Sequence, residues 1–262
     1  MPADHFHLAW SRIQYEYEAL GAHGLHSPFV YQMYQDCIRK KRKSICPPVE
    51  NLRKQAKRSG KKISVTDFKS GLTRTKPVKQ EARSSPSSPV FSAFLFRLLN
   101  YLGARSVLET GTSLGFNTLY LAQSEVQEVW TIEGNPEIAQ LAAAHFASLN
   151  STKIHQVVGD LHETFSGTIA QAQPDVVFLD ADHRSQAIFR CLDSLSDQLK
   201  EIKCIIIHDI YWSKDMTSCW QALVRDARFP LTIDLHQAGL LFPNMEMEKQ
   251  HFRLKFNTGF PM

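Results

Sequence analysis

Short apolar segments that end in an acidic residue recur through the C-terminal two-thirds of this chain, and they constrain its fold more than any other feature. Helical patterns fill most of the gaps, and the interval from one acid to the next is 20 to 29 residues. Strand and helix alternating at this spacing predict a doubly wound α/β fold with a mainly parallel sheet. The five acids are Glu109, Glu133, Asp160, Asp180 and Asp209.

The C-terminal part departs from this alternation. The run "LTIDLHQAGLLF" predicts two strands joined by a turn at Gln237–Gly239, and the later "HFRLKF" is also strand-like. The simplest arrangement is a seven-stranded, mainly parallel sheet that carries a C-terminal antiparallel hairpin.

The N-terminal part differs in charge from the rest of the chain. Between Arg39 and Arg83 there are 16 lysines and arginines against three acids, whereas the remainder has 14 basic and 23 acidic residues. Helices are predicted over residues 4–20 and from Phe29 to about Lys41. Most of residues 42–89 is predicted to be loop or mobile arm, with a short strand at Ile63–Phe68. We therefore expect two domains, a helical and basic extension (1–83) and an α/β domain (84–262).

Composition excludes several classes of protein. Hydrophobic residues make up 43% of the chain, and no apolar run approaches the ~18 residues of a membrane span, so no membrane insertion is expected. The first residues lack the basic and apolar regions of a signal peptide. The five cysteines form no CxxC pair. This pattern favours reduced thiols and a cytoplasmic location.

A glycine turn follows the first acid-ended strand, in "SVLETGTSLGFNTLYLA". A P-loop needs Gly-Lys-Ser/Thr, but Phe116 and Asn117 follow Gly115, and the third glycine of a dinucleotide site is also missing. A carboxylate at Glu109 favours a ligand with positive charge. S-adenosylmethionine, with its ammonium and sulfonium, meets this requirement, and Glu133 is placed to accept hydrogen bonds from both ribose hydroxyls.

Residues 84–243 resemble the class I methyltransferases, and more closely the O-methyltransferases related to the catechol and caffeoyl-coenzyme A enzymes. The matching segments are "LETGTSLGFNTLYLA", "WTIEGNPEIAQLA", "VVGDLHETF", "VVFLDADHRSQAIFRCLDSL" and "IIIHDIYW". The N-terminal "HGLHSPFVYQMY" also resembles a group of uncharacterised bacterial methyltransferases. The resemblance implies a Rossmann-like sheet, S-adenosylmethionine as cofactor and a homodimer.

The resemblance also implies roles for individual residues. Glu133 would bind the ribose, Asp160 and Leu161 would lie beside the adenine, and Asp180 would adjoin the donor. The residues of the turn that would contact the methionyl part of the donor are Glu109, Gly111, Thr112, Ser113, Gly115 and Asn117.

A divalent cation such as Mg²⁺ belongs to the active site that the resemblance implies. Asp180 and Asp209 occupy the positions of two metal ligands, but the family's usual Asp-Asn pair is here Asp209–Ile210. Two carboxylates then remain, which Asp182 could supplement. The carboxylates could act through a metal or as a direct base, and His183 or His208 could be the base instead.

On the strength of the resemblance, the acceptor is expected to be a hydroxyl, on a small molecule or an RNA nucleoside. Methylation of an amine, which would not need the two carboxylates, is an alternative. A non-catalytic nucleic-acid-binding module on a methyltransferase fold is another, because the basic segment suits an anionic partner. A dehydrogenase is disfavoured by the missing third glycine.

Overall fold

A computed structural model describes residues 5–40, 46–66, 71–84 and 87–256 of the chain. The chain packs as two compact units. One, here called the terminal unit, combines Met1–Lys40 with Pro174–Met262, and the other, the central unit, is Lys41–Gln173. The predicted domain boundary between residues 83 and 84 stays a prediction.

The secondary structure alternates between helix and strand over most of the described chain. The helices are α1 (His5–Glu18), α2 (Pro28–Met33), α3 (Pro47–Ala56), α4 (Val78–Ser84), α5 (Pro89–Leu102), α6 (Phe116–Ala122), α7 (Pro136–Ser148), α8 (Leu161–Ala172), α9 (Ser185–Ser194) and α10 (Lys214–Arg225). The strands are β1 (Lys62–Thr66), β2 (Thr73–Pro77), β3 (Ser106–Thr110), β4 (Glu128–Glu133), β5 (Ile154–Val158), β6 (Val176–Leu179), β7 (Cys204–His208), β8 (Leu231–Asp234), β9 (Ala238–Phe242) and β10 (Gln250–Arg253).

The central unit holds three parallel strands and a separate hairpin. Strands β3, β4 and β5 pair in parallel, with Glu109 opposite Thr131 and Glu133 opposite Val158. Strands β1 and β2 form a two-stranded antiparallel hairpin. Two of its long helices have side-chain N-caps. Ser88 accepts a hydrogen bond from the N–H of Phe91 in α5, and Asn135 accepts one from the N–H of Ile138 in α7.

The terminal unit contains the switch from parallel to antiparallel pairing. Strands β6 and β7 are parallel, β7 pairs antiparallel with β9, and β9 pairs antiparallel with β8. Strand β10 then adds to β8 in parallel. The predicted mainly parallel α/β fold with its C-terminal antiparallel hairpin is therefore confirmed. Strand β10 overlaps the strand-like run "HFRLKF" and adds one strand to the predicted seven.

The first helix belongs to the terminal unit through contacts with the last strand. The Tyr15 hydroxyl donates to the carbonyl oxygen of Leu254, and the Leu20 N–H donates to the carbonyl oxygen of Arg253 over 2.7 Å. Helix α2 is shorter than predicted, because a π-helical turn at Tyr34–Ile38 replaces its second half.

The prediction that residues 42–89 are mostly loop or mobile arm is wrong for the described part of this segment. Helices α3 and α4 and the β1–β2 hairpin occupy it. Apolar residues spaced among the basic ones explain the error, since Val49, Ile63 and Val78 are buried in a core shared with α6 and α7. The high density of charge concealed this amphipathic pattern in the sequence.

Arg53, a member of the basic segment, is itself a core residue. Its side chain is 4% exposed, its Nη1 donates to the carbonyl oxygen of Ser87 over 2.8 Å, and its guanidinium lies 4.7 Å from the centre of the Phe116 ring. Glu50 pairs with it at 3.3 Å. An arginine in this position holds α3 onto the central unit.

Replacing this arginine tests whether the basic segment is part of the packed fold. We expect Arg53→Ala to lower the free energy of unfolding by about 3–5 kcal/mol, because it breaks a buried ion pair. Urea denaturation measures the change. The matched control is Lys54→Ala, an exposed neighbour on the same helix, for which about 0.5 kcal/mol or less is expected. Equal stabilities for the two variants would contradict the packing.

A second close contact lies in the terminal unit, between the hairpin and α10. A Cβ on Gly239 of β9 would lie 2.3 Å from the Trp220 ring, and Trp220 is buried. We expect Gly239→Ala to destabilise the protein by about 1–3 kcal/mol through overpacking. Gly167, inside α8, has open space around it. Gly167→Ala should instead stabilise by about 0.5–1 kcal/mol. Urea denaturation measures the free energy of unfolding of both variants, which should fall for Gly239→Ala and rise for Gly167→Ala. An unchanged free energy of unfolding in Gly239→Ala would contradict the contact with Trp220.

The remaining global features agree with the composition. All five cysteines are free and buried. Among the helices of the described residues, none is long and apolar enough to cross a membrane.

Candidate functional site

The predicted site residues fall into two groups, one in each unit. The central unit carries the glycine turn, Glu133 and the residues that follow β5. The terminal unit carries the acids and histidines at the ends of β6 and β7.

The glycine turn between β3 and α6 is held in a left-handed backbone conformation. Gly111, Ser113 and Gly115 have φ of 85°, 48° and 76°. A Cβ on Gly115 would also lie 2.4 Å from the Phe146 ring, so both the backbone and the packing require glycine there. The Gly111 N–H donates to the carbonyl oxygen of Ile132 over 2.9 Å, which ties the turn to β4.

Glu133 closes this turn from the end of β4. Its Oε2 accepts from the Ser113 N–H over 2.8 Å and its Oε1 accepts from the Asn135 N–H over 2.9 Å. Burial raises the pKa of the Glu133 carboxyl above its usual range, and the backbone N–H groups of Asn135 and Ser113 partly oppose that rise. The side chain is only partly buried. A carboxylate offers about four lone-pair positions, so these bonds leave capacity for a ligand hydroxyl.

Glu109 lies deeper than the turn itself. The residue is fully buried, and its Oε2 accepts from the hydroxyls of Thr118 and Thr131, the latter over 2.8 Å. Thr118 is in α6 and Thr131 is in β4. The carboxylate, at the end of β3, therefore joins α6 to β4, and its negative charge lies within this buried network.

The other predicted donor-binding residues are ordered by local bonds. Thr112 is buried with its hydroxyl 2.7 Å from that of Thr131, and Asn117 Oδ1 accepts from the Ser92 hydroxyl. Asp160 caps α8, where its Oδ1 accepts from the His162 N–H over 2.7 Å. Leu161, the first residue of that helix, is partly buried.

One residue at the turn was missed by the sequence analysis. Glu81 of α4 is buried, pairs with Lys76, and accepts a 3.4 Å hydrogen bond from the Ser113 hydroxyl. It is one of only three acids in the basic segment. Its isolation among basic residues is the signal that the sequence offers, and the prediction of a loop in this segment conceals it.

In the terminal unit, His208 at the end of β7 lies between two acids. Its Nδ1 is 2.8 Å from Asp180 Oδ1 and 3.5 Å from Asp209 Oδ1. Burial lowers the pKa of the His208 imidazole, but Asp180 and Asp209 together raise it by more than burial lowers it. The net pKa is well above its usual value. Burial also acts to raise the pKa of Asp209, but His208 and His183 lower it to about 2. The result is a charged, compact cluster.

His183 approaches the same cluster from the loop before α9. Its Nε2 is 3.7 Å from Asp209 Oδ2, and 28% of its side chain is exposed, against 9% for His208. The Trp212 ring centre is 6.4 Å from that of His183. His183 is therefore the imidazole of the cluster that solvent or a ligand can reach.

The predicted metal ligands do not fit a divalent cation. Asp180 and Asp209 both face the His208 ring, and Asp182 is bonded through both its oxygens to the Arg184 guanidinium. Ile210, at the third position, is buried and has no side-chain oxygen. Within the described residues, no group of three or more His, Cys, Asp and Glu side chains could hold a metal ion.

Comparison with known sequences identifies a domain in this region. Residues 108–210 match a family model described as a methyltransferase domain. The chain is 31% identical over 106 residues to a protein-L-isoaspartate O-methyltransferase of Picosynechococcus, covering 40% of this chain and 47% of that protein. It is 33% identical over 99 residues to a catechol O-methyltransferase of Mycobacterium tuberculosis, covering 37% and 44%. The chain thus spans less than half the length of these curated relatives.

Comparison with solved structures extends the similarity in fold to both units. An S-adenosylhomocysteine-bound methyltransferase of Podospora anserina, PaMTH1, aligns with a TM-score of 0.58 at 12% identity, over 83% of this chain and 96% of that one. An O-methyltransferase of Bacillus cereus, in complex with S-adenosylhomocysteine, aligns with a TM-score of 0.53 at 18% identity, over 81% and 96%. The Rossmann-like methyltransferase fold, and with it the resemblance noted in the sequence, is confirmed.

Proposed function

We propose that this chain, in which residues 108–210 match a methyltransferase domain, transfers a methyl group from S-adenosylmethionine to a hydroxyl oxygen. In this reaction the new O–CH₃ bond forms as the S–CH₃ bond breaks. The sulfur keeps the electron pair and becomes the thioether of S-adenosylhomocysteine, and the hydroxyl proton passes to a base. The observation that carries the proposal is the glycine turn held by the acid at the end of the next strand, Glu133.

The glycine turn and the acid that follows β4 bind the donor in this proposal. Glu133 accepts from the ribose hydroxyls, and the backbone of residues 111–115 contacts the methionyl part. Asp160 and Leu161 lie beside the adenine. Glu109 and Glu81 supply negative charge close to the turn, which favours the ammonium and the sulfonium. A ligand that carried a diphosphate would instead be repelled by these carboxylates.

His183 is the base in this proposal. His183 is partly exposed, and Asp209 lies 3.7 Å from its Nε2, so an imidazolium formed by taking the hydroxyl proton has a carboxylate partner. Asp209, with its pKa lowered to about 2, is a poor proton acceptor itself. Asp180 and His208 form the buried pair that keeps Asp209 in place.

The acceptor carries negative charge in this proposal, because the described part of the basic segment presents a set of exposed cations. Those in the described part of the central unit are Lys54, Lys57, Arg58, Lys61, Lys62, Arg74, Lys79 and Arg83. An RNA nucleoside would use several of them at once through its neighbouring phosphates. An anionic small molecule would use few of them.

The test is transfer of labelled methyl from S-adenosylmethionine into fractionated cell extract, with RNA, lipid and small-molecule pools compared. A variant with Lys57, Arg58, Lys61 and Lys62 changed to alanine accompanies the unchanged protein. Label in RNA that nuclease releases, and that this variant loses, supports the RNA acceptor. Label confined to small molecules, undiminished in the variant, supports a small hydroxylated acceptor. Label on nitrogen supports the amine alternative, and no label in any pool while the donor still binds contradicts the enzymatic function.

A further inference from the structure

The two carboxylates that the family resemblance assigns to a metal have a common partner in this chain. Asp180 and Asp209 approach the same atom, Nδ1 of His208, from 2.8 and 3.5 Å. The imidazole is buried at the end of β7 and is stacked edge-on against the Phe178 ring at 6.1 Å. The ring is therefore packed between the two carboxylates and Phe178.

The second nitrogen of the His208 ring is also committed. His208 Nε2 lies 3.1 Å from the Gln237 side-chain amide, whose Oε1 is buried and has no hydrogen-bond partner among the described residues. Rotation of the amide by 180° presents Oε1 to Nε2. Both ring nitrogens then donate, one to Asp180 and one to Gln237, and the buried amide oxygen gains the partner that it otherwise lacks.

Further oxygen ligands are not supplied by the neighbouring residues. Asp182 is engaged by Arg184 through both oxygens, and Ile210 stands where the related enzymes have an amide. A hard divalent cation prefers six or more oxygen ligands, so a cation here would need both Asp180 and Asp209, with water completing its shell, and neither carboxylate is available to it while His208 lies between them.

We propose that the His208 side chain takes the place of a divalent cation between Asp180 and Asp209, so that this chain binds no metal at its acid pair and transfers methyl without one. The Nδ1 atom of His208 lies between the two carboxylates, where a metal would lie, and a directional N–H bond takes the place of coordination. His208 is then a positioning residue, which sets Asp209 beneath His183. The activity part of this inference rests on the proposed function, whereas the metal-binding part does not.

The experiment titrates Mn²⁺ into chelator-treated protein and follows the paramagnetic resonance signal of the free ion. The unchanged protein should take up no Mn²⁺ through the millimolar range. The His208→Ala variant should take up one Mn²⁺ per chain. So should His208→Asn, which changes the shape of the side chain less. Adding Asp180→Asn to either variant should abolish that uptake. Thermal unfolding of both variants, with and without S-adenosylmethionine, verifies that they are folded.

A matched control removes the other imidazole of the cluster. His183→Ala should take up no Mn²⁺, because His208 still lies between the carboxylates. Uptake of one ion by the unchanged protein that Asp180→Asn abolishes would overturn the inference. The inference would also be overturned if the His208 variants are folded but take up no Mn²⁺, since the imidazole would then not be what excludes the ion. Where methyl transfer is measurable, it should be unchanged by EDTA, and a loss that Mg²⁺ restores would also overturn it.

Discussion

His183→Ala is expected to lower kcat for methyl transfer by about 10²–10⁴-fold, the usual contribution of a general base. The affinity for S-adenosylmethionine should be unchanged, because the donor-binding residues of the proposal lie elsewhere in the chain. Removing the ring of this partly exposed side chain leaves space beside Asp209. Added imidazole should therefore restore part of the rate, which a purely structural defect would not allow. The measurement is the rate of methyl incorporation, with and without imidazole.

The control for this variant is His23→Ala, which removes an exposed histidine that the proposed mechanism does not use. Its rate should equal that of the unchanged protein. An unchanged rate in His183→Ala would exclude it as the base and leave the carboxylates. A loss of rate accompanied by an equal loss of donor affinity would mean that the variant disturbs the fold.

Glu133→Ala is expected to weaken binding of S-adenosylmethionine by about 100-fold, because hydrogen bonds to a charged group contribute about 1.5–3 kcal/mol each. Two effects contribute to this loss. The ribose hydroxyls lose their acceptor, and the Ser113 N–H loses the bond that holds the turn. Isothermal calorimetry measures the dissociation constant. Glu133→Gln keeps the shape of the side chain and one acceptor oxygen, so its dissociation constant should lie between those of the unchanged protein and Glu133→Ala.

The matched control is Glu128→Ala. Glu128 begins the same strand, is exposed, and accepts a hydrogen bond from Trp130 Nε1. Its removal should leave the donor affinity unchanged. If Glu133→Ala binds S-adenosylmethionine as tightly as the unchanged protein does, the donor does not lie against the end of β4.

The parts of the fold that could be predicted from the sequence are those where local pattern and tertiary packing agree. Apolar runs such as Val176–Leu179 are buried on both faces of a sheet, so their composition alone marks them as strands. The turn at Gly111–Gly115 was equally visible, because its left-handed residues need glycine at both ends. The basic segment was not, since its helices are stabilised by a few buried residues among many exposed charges.

Apart from Glu81, the residues of the candidate site could be predicted from the sequence, but the bonds among them could not. The positions of Asp180, His208 and Asp209 at strand ends follow from the strand pattern. That His208 lies between the two carboxylates depends on side-chain directions, which no spacing in the sequence determines. The pairing of Asp182 with Arg184 is hidden for the same reason. The homodimer and the cytoplasmic location stay predictions.

The central claim, methyl transfer from S-adenosylmethionine, is tested most directly by measuring S-adenosylhomocysteine. The purified protein is incubated with S-adenosylmethionine, EDTA and each acceptor pool, and the product is quantified by mass spectrometry. S-adenosylhomocysteine should accumulate in equal amount to the methyl groups found in one pool, and Glu133→Ala should form little of it. The incubations are repeated with Mg²⁺ in place of EDTA. If a protein that binds S-adenosylmethionine forms no S-adenosylhomocysteine with any pool under either condition, the account is contradicted.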